Sequence, residues 1–344
     1  MEKKHKITLP AEWEHQSGVL LTWPHRNTDW KDILEEVEKC FIDIAVEVSA
    51  REKLIIICPD KRELLPKLCS CDLHNICFAE IASNDTWARD HGPISVMIED
   101  KPVLYDFTFN GWGMKFPANL DNQITLNLFS QGFFAQNVTC LNKQSFVLEG
   151  GSIESDGRGT LMSTKECLCS VNRNTYMSQE EIENYLMTVF DLKKMLWLNS
   201  GFLEGDDTDS HIDTLARFCN KTTIAYVKCD DPGDRHYEAL KNMENELKSF
   251  RNFENEPYDL IPLPMADPVY DDNQRLPATY ANFLIINKAV LVPFYNSSKD
   301  GIAQNTLQKV FPERKIVGID CRSLIKQHGS LHCVTMQFPD GFIR

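Results

Sequence analysis

The sequence contains no long uninterrupted run of apolar residues, although 42% of its 344 residues are hydrophobic. It opens with MEKKHK, and no apolar stretch follows these mostly charged residues. A membrane-spanning helix needs roughly 20 apolar residues, and a secretory signal needs an apolar segment of about 7 to 15. We therefore expect a protein that makes no membrane contact and resides in the cytoplasm.

Positive charge is scarce in this chain. Its 36 lysines and arginines face 50 aspartates and glutamates, which leaves a formal net charge of −14. An acidic surface repels phosphate backbones, so nucleic acid is not an expected partner. A small cationic molecule is electrostatically compatible with such a protein.

The sequence also lacks the two sets of paired cysteines that a zinc site needs, and it lacks a flexible linker. The twelve cysteines are scattered, and the C-x-C pairs Cys69/Cys71 and Cys167/Cys169 lack the second ligand pair of a zinc site. We therefore predict no structural zinc site. No stretch rich in proline, glycine or serine divides the chain, so we expect one domain over 1–344 with a large core.

Short strands alternate with a few helices, which predicts an α/β protein. Apolar residues at helical spacing predict helices over 30–50, 178–191 and 236–250, and the second opens with a capping box. Strand–turn–strand segments recur at intervals of roughly 60–70 residues, which favours radially repeated units whose turns meet at a centre. These segments are 94–110, 151–164, 211–228 and 283–296, with 331–339 and 17–23 as strands that close the ring.

Four polar stretches precede or open these repeated strands. They read NDTWARDHGP (84–93), LEGGSIESDGRG (148–159), GDDTDSHIDTLARF (205–218) and GSLHCVTMQ (329–337). If the turns meet at a centre, the four stretches meet there as well. We therefore expect the chemistry of the protein to be located at that centre.

The third stretch does not have the spacing of a metal site. A calcium loop would need a glycine inside the loop and a glutamate at its twelfth position, and zinc-binding histidines on a helix are spaced i, i+4. In a strand, residues i and i+2 point to the same face, so His211 and Asp213 would enter one pocket. The alternative is a strand edge with solvated polar side chains.

Cys333 is a candidate nucleophile, and the alternative is a structural buried thiol. A nucleophilic cysteine needs a histidine to protonate the leaving group. Strand alternation points His332 away from Cys333, so the histidine partner must come from another repeated unit. Nearby carboxylates would raise the pKa of the thiol unless the substrate is a cation. Two aspartates bind a guanidinium well, so the set indicates attack on a guanidinium carbon.

Six motifs together resemble the agmatine deiminase family, which is related to the Porphyromonas-type peptidylarginine deiminases. The resemblance implies a pentein α/β-propeller of five ββαβ-type units around a pseudo-fivefold axis. It also implies a possible homodimer, because family members often form dimers. The motifs are 9–26, 84–93, 109–116, 148–159, 206–218 and 329–337.

The resemblance also assigns roles to individual residues. Cys333 resembles the nucleophile and His211 the general acid/base, while Asp90 and Asp213 resemble the carboxylates that bind the guanidinium. Glu149 resembles a further acid beside the histidine. The implied reaction converts agmatine to N-carbamoylputrescine and ammonia through a covalent thiouronium, with no cofactor.

Further aromatic and acidic residues in these motifs have two interpretations each. Trp23, Trp87 and Trp112 either pack in the core or form an aromatic wall over the substrate chain. Arg89 is expected to be a structural ion-pair partner. Four aspartates could hold the distal amine, cap a strand or face water; they are Asp85, Asp206, Asp207 and Asp209.

Three other functions fit parts of this pattern. A peptidyl-arginine deiminase would use the same cysteine, histidine and aspartates on an open groove. A guanidine-binding protein without activity would keep the carboxylates alone. A metal-dependent hydrolase built on 205–213 would lose activity with a chelator, whereas a deiminase would not.

Overall fold

The computed structural model describes residues 6–344, so residues 1–5 of the predicted domain lie outside the described part of the chain. The strands are β1 Ile7–Thr8, β2 Gln16–Thr22, β3 Lys53–Cys58, β4 Ile76–Glu80, β5 Ile94–Ile98, β6 Lys101–Thr108, β7 Thr139–Val147, β8 Glu154–Ser155, β9 Thr160–Thr164, β10 Lys194–Leu198, β11 Ala216–Phe218, β12 Thr223–Lys228, β13 Asp259–Pro264, β14 Tyr270–Asp271, β15 Gln274–Arg275, β16 Leu284–Ile286, β17 Ala289–Phe294, β18 Lys315–Asp320 and β19 Thr335–Pro339.

The helices lie between these strands. They are α1 Leu34–Ser49, α2 Lys61–Leu64, α3 Ala88–His91, α4 Gly111–Met114, α5 Ile124–Ser130, α6 Lys165–Leu168, α7 Gln179–Val189, α8 Tyr237–Ser249 and α9 Asp300–Val310. Among residues 6–344, none of the helices combines the length and the hydropathy that a membrane span requires.

One strand order recurs in five sheets formed by residues 6–344. In each, an antiparallel pair is followed by a strand that runs parallel to the second member. A parallel neighbour requires a crossover, and α1, α5, α7, α8 and α9 lie in the five crossovers. The sheets are β19-β2-β3-β4, β1-β5-β6-β7, β8-β9-β10, β11-β12-β13 and β16-β17-β18, beside a separate hairpin β14-β15. The mixed α/β class agrees with the prediction from the sequence.

The three predicted helices correspond to α1, α7 and α8. Helix α7 has the predicted capping box, in which the Ser178 hydroxyl accepts from the Glu181 amide and the Glu181 carboxylate accepts from the Ser178 amide. Two predicted strands begin later than expected. The segment 211–228 starts with a 3-10 turn over Ile212–Thr214, and residues 331–334 form a turn before β19.

A buried arginine joins three separate parts of the chain. Arg217 on β11 donates to Glu154 (3.0 Å) and Glu12 (2.7 Å), and its third nitrogen donates to the carbonyl of Phe283 (2.6 Å). The Arg217 side chain is fully buried. A buried ion is tolerated only when it is paired and hydrogen-bonded, so this guanidinium compensates two carboxylates that are otherwise costly.

We expect Arg217→Met to lower the free energy of unfolding by about 3–5 kcal/mol, because two buried carboxylates would lose their partner. Urea unfolding followed by circular dichroism measures the loss. Arg322→Met is the matched control, since Arg322 pairs with Asp320 where both side chains are 53% exposed. That control should cost no more than about 1 kcal/mol. Equal losses in the two variants would contradict a dominant role for the Arg217 pairs.

Candidate active site

A cavity of about 440 Å³ opens to solvent beside the turn that precedes β19. Cys333, Asp90, Trp87 and Trp112 lie on its walls. No lysine or arginine of residues 6–344 lines it, whereas its carboxylates are those of Asp29, Glu80, Asp85, Asp90, Asp121 and Asp207. Such a cavity attracts a cation and repels an anion.

The candidate catalytic groups converge on Gly151. A methyl group built on this glycine would lie 2.6 Å from His211 Nδ1, 2.8 Å from Asp90 Oδ1 and 3.3 Å from Asp213 Oδ2. The Gly151 amide donates to Asp90 Oδ1 (3.0 Å), and Cys333 Sγ lies 3.9 Å from Asp213 Oδ2. The structure therefore brings together these four side chains, which come from three distant segments.

Turns, not strands, present these groups. Asp90 lies in the single-turn helix α3, His211 precedes the 3-10 turn over Ile212–Thr214, and Cys333 lies in the turn before β19. The strand-alternation argument for His211 and Asp213 is therefore wrong in its geometry. The two side chains still approach the same point, because the short turn curls the backbone around it.

Glu149 lies behind His211. Its two oxygens accept from Arg173 Nε at 2.9 and 3.0 Å, and both side chains are fully buried. Ligand atoms of Glu149, Cys167 and His211 lie within 4.8 Å of one another, a spacing that a soft metal could use. A dication there would have to share the carboxylate with the Arg173 guanidinium, so the set fits an acid beside a histidine better than a metal site.

Burial and neighbouring charges shift the protonation of the site. Burial raises the pKa of the Cys333 thiol well above its usual value, and Asp213 and Asp90 raise it further. Burial disfavours a charged His211, but Asp90 and other negative neighbours raise its pKa well above the usual value. Burial also raises the pKa of Asp90 to about 6. Without a ligand, the site therefore holds a thiol and an imidazolium at neutral pH.

Asp213 behaves differently, because His332 supports it. Burial opposes its ionisation, yet hydrogen bonding and charge from His332 hold the pKa of Asp213 below its usual value. His332 Nδ1 lies 2.8 Å from Asp213 Oδ2. The prediction that His332 points away from the site is therefore wrong, since residues 331–334 form a turn in which strand alternation does not apply.

Sequence reasoning also missed Asn282. Its Oδ1 accepts from the His332 amide (2.8 Å) and lies 3.4 Å from Cys333 Sγ. A polar contact with the thiol lowers the pKa of Cys333, which partly offsets burial. Asn282 lies outside the polar motifs, just before β16, so only its position before a repeated strand could have singled it out.

The three candidate tryptophans occupy different places. Trp87 and Trp112 line the cavity, and Trp112 Nε1 donates to Asp90 Oδ2 (3.0 Å). Trp23 is absent from the cavity wall; its Nε1 donates to Glu38 (3.1 Å) and its ring lies edge-on against Phe41. The structure thus places Trp23 in the core rather than beside a substrate.

Two of the candidate aspartates reach the cavity. Asp85 and Asp207 line it; burial raises the pKa of Asp85 to about 7 and that of Asp207 to about 6. The other two do not line it. Asp206 accepts hydrogen bonds from Thr208 and Ser210 of its own loop, and Asp209 forms ion pairs with Lys115 and Arg173.

Arg89 is buried, and its guanidinium lies 3.9 Å from the Glu12 carboxylate, as the predicted ion-pair role requires.

Comparison with known proteins gives a consistent result. The chain matches the model of the Porphyromonas-type peptidyl-arginine deiminases over residues 8–339. A C. jejuni agmatine deiminase, solved with substrate bound to a cysteine-to-serine variant, is 39% identical with a TM-score of 0.92, covering 99% of this chain and 98% of that one. The agmatine deiminase of Pseudomonas aeruginosa is 32% identical over 96% of this chain and 95% of its own length.

A solved structure from Porphyromonas gingivalis, named provisionally as an arginine deiminase, is 52% identical to this chain. Its TM-score is 0.95, and the match covers 98% of this chain and all of that one. The agmatine deiminases and the P. gingivalis protein are thus each similar to this chain over nearly its whole length.

We expect Gly151→Ala to lower kcat/KM by about 100-fold or more, because its methyl group would displace His211 and Asp90 by the fraction of an ångström that catalysis does not tolerate. The steady-state rate with a guanidine substrate measures the loss. Gly301→Ala on α9 is the control, since nothing lies within 4 Å of its added methyl group. If Gly151→Ala retains the control's activity, the point beside Gly151 is not the reaction centre.

Proposed function

Because this chain belongs to the Porphyromonas-type peptidyl-arginine deiminase family, we propose that it is an agmatine deiminase, which hydrolyses agmatine to N-carbamoylputrescine and ammonia. The observation that carries the proposal is the pairing of Asp90 and Asp213 beside Cys333 and His211, where Asp90 and Cys333 line a cavity with five further carboxylates. Relatives named agmatine deiminase support it.

The substrate guanidinium binds between the two carboxylates. Asp213 Oδ1 is buried and has no hydrogen-bond partner within residues 6–344, so it is available to a guanidinium N–H. Asp90 is oriented by Trp112 and by the Gly151 amide. The bound cation neutralises the two charges that raise the pKa of Cys333, and it therefore favours the thiolate when the substrate is in place.

Two half-reactions follow. The Cys333 thiolate forms a C–S bond to the guanidinium carbon, and the His211 imidazolium protonates one amino group, which leaves as ammonia. The product of this step is a covalent thiouronium. Neutral His211 then removes a proton from water, whose oxygen attacks the same carbon. The C–S bond breaks, which releases the ureido product and restores the thiolate.

The rest of the cavity accommodates the chain of agmatine. The Trp87 and Trp112 rings form an apolar wall for its methylene groups, and their π faces attract a cation. We assign Asp85 and Asp207 to the distal ammonium, because both carboxylates line the same cavity. The ammonium would favour their ionised forms, which burial disfavours in the free protein.

Four further features belong to the same proposal. The five sheets with one shared strand order are inferred to form a pentein propeller around a pseudo-fivefold axis, with the catalytic turns at its centre. The protein is inferred to act in polyamine synthesis in the cytoplasm, to work without a cofactor, and to form a homodimer. Of these, the propeller rests on the repeated topology and the others on the family.

Peptidyl-arginine deiminase is the alternative activity, and the family description together with the P. gingivalis relative keeps it in view. A peptide would need room for its backbone at the mouth of the cavity. Asp85 and Asp207 on the wall instead suit a free ammonium group.

Cys333→Ala should abolish turnover of agmatine, because no other group can form the C–S bond. Ammonia and ureido product are measured with agmatine, arginine and an arginine-containing peptide in parallel. Cys69→Ala, at an exposed cysteine, is the control and should retain wild-type rates. Turnover of the peptide would instead indicate a peptidyl-arginine deiminase. Near-wild-type activity of Cys333→Ala would refute the mechanism.

The rate should also depend on the ionisation of Asp90. As pH falls through about 6, this carboxyl takes up a proton and no longer binds the cation, so it should contribute one proton to the acidic limb of kcat/KM, beside Asp85 and Asp207. Asp90→Asn should lower kcat/KM by about 10³-fold at pH 8 and make that limb less steep by one proton. A limb of wild-type steepness in Asp90→Asn would show that Asp90 does not contribute to it.

A further inference from the structure

The two oxygens of Asp213 have different surroundings. Oδ2 lies 2.8 Å from His332 Nδ1 and 3.9 Å from Cys333 Sγ, whereas Oδ1 is buried and unpartnered within residues 6–344. The bond to His332 therefore fixes the oxygen that lies nearest Cys333 and Gly151. His332 itself is buried and does not line the cavity.

Glu12 holds His332 from the other side. Its Oε2 lies 2.7 Å from His332 Nε2 and 2.7 Å from Arg217 Nη2, and its Oε1 accepts from the Ile285 amide (2.7 Å). The imidazole is thus clamped between the carboxylates of Asp213 and Glu12. Glu12 in turn is held by Arg217, the buried arginine that joins three parts of the chain.

Both ring nitrogens of His332 face carboxylate oxygens. A neutral imidazole has a single N–H, so both hydrogen bonds are made only when the ring carries two protons. Burial and the guanidinium groups of Arg217 and Arg89 lower the pKa of His332, and the two carboxylates oppose this shift without reversing it. When protonated, the ring places a positive charge directly behind Asp213.

We propose that His332 and Glu12 are positioning residues for the reaction, which hold Asp213 in one orientation so that its carboxylate receives the guanidinium. The inference rests on the proposed function for its substrate. Neither residue touches the reacting atoms, and both act through Asp213.

Without His332, Asp213 would lose a hydrogen bond while its burial remained. Its carboxyl would then take up a proton at a higher pH, and a further group would join those that control cation binding. The acidic limb of the kcat/KM profile should therefore move to higher pH and steepen by one proton. The other charged or titratable groups that face Asp213 are His211, Arg217, Arg89, Asp90 and Cys333.

The test compares His332→Gln, Glu12→Gln and Glu38→Gln. Glu38 is the matched control, because this mostly buried carboxylate also accepts from an aromatic ring N–H (Trp23) and from a cation (Lys67), but far from Asp213. His332→Gln should lower kcat/KM at neutral pH by about tenfold or more and change the acidic limb as described. Glu12→Gln should shift the limb in the same direction by less, and Glu38→Gln should retain the wild-type profile.

A second readout separates this inference from the proposed function. Chloroacetamidine carries an amidinium that the two aspartates can bind, and mass spectrometry measures its rate of alkylation at Cys333 as a function of pH. The same shift of the acidic limb is expected, whether or not agmatine is the substrate. A wild type inactive toward agmatine would refute the function alone.

The inference would be overturned if His332→Gln lowered kcat/KM and the alkylation rate by the same factor at every pH. The acidic limb would then keep its wild-type shape, and His332 would have only a structural role. If His332→Gln fails to fold, Glu12→Gln decides: an unchanged limb in that variant overturns the inference as well.

Discussion

Two carboxylates buried side by side are the constraint on which the rest of this site depends. Asp90 and Asp213 approach the same point beside Gly151, where burial penalises both charges. An uncompensated buried carboxylate costs several kcal/mol, so each needs support from elsewhere. His211 supplies positive charge on one side, and His332 supplies a hydrogen bond to Asp213 on the other. In the proposed reaction, the substrate cation would supply the remaining compensation.

The repeated fold explains how residues far apart in sequence reach this point. Each of the five sheets with the shared strand order has a candidate functional residue in the segment just before the strand that opens its repeated three-strand unit. A turn at that place offers backbone amides and short side chains without the alternation that a strand imposes. The residues are Asp90 before β5, Glu149 before β8, His211 and Asp213 before β11, Asn282 before β16 and Cys333 before β19.

Local signals in the sequence predicted the helices and the segments that meet beside Gly151, because a capping box or an aspartate–histidine run is encoded within a few neighbouring positions. The geometry of 211–213 and the orientation of His332 were wrong for one reason. Both arguments assumed a strand where the chain forms a turn, and only contacts with distant segments decide between the two. Trp23 shows the same limit, since its partner Glu38 lies on α1 and no spacing distinguishes a core indole from one on a cavity wall.

The raised pKa of the Cys333 thiol has a consequence outside catalysis. A neutral thiol is a poor nucleophile toward peroxide and disulfides, so the resting protein should resist oxidative damage at this cysteine. That protection ends when a cation occupies the cavity and the thiolate forms. Cys333 would then be most easily oxidised while the substrate is bound, when the substrate itself covers the sulfur.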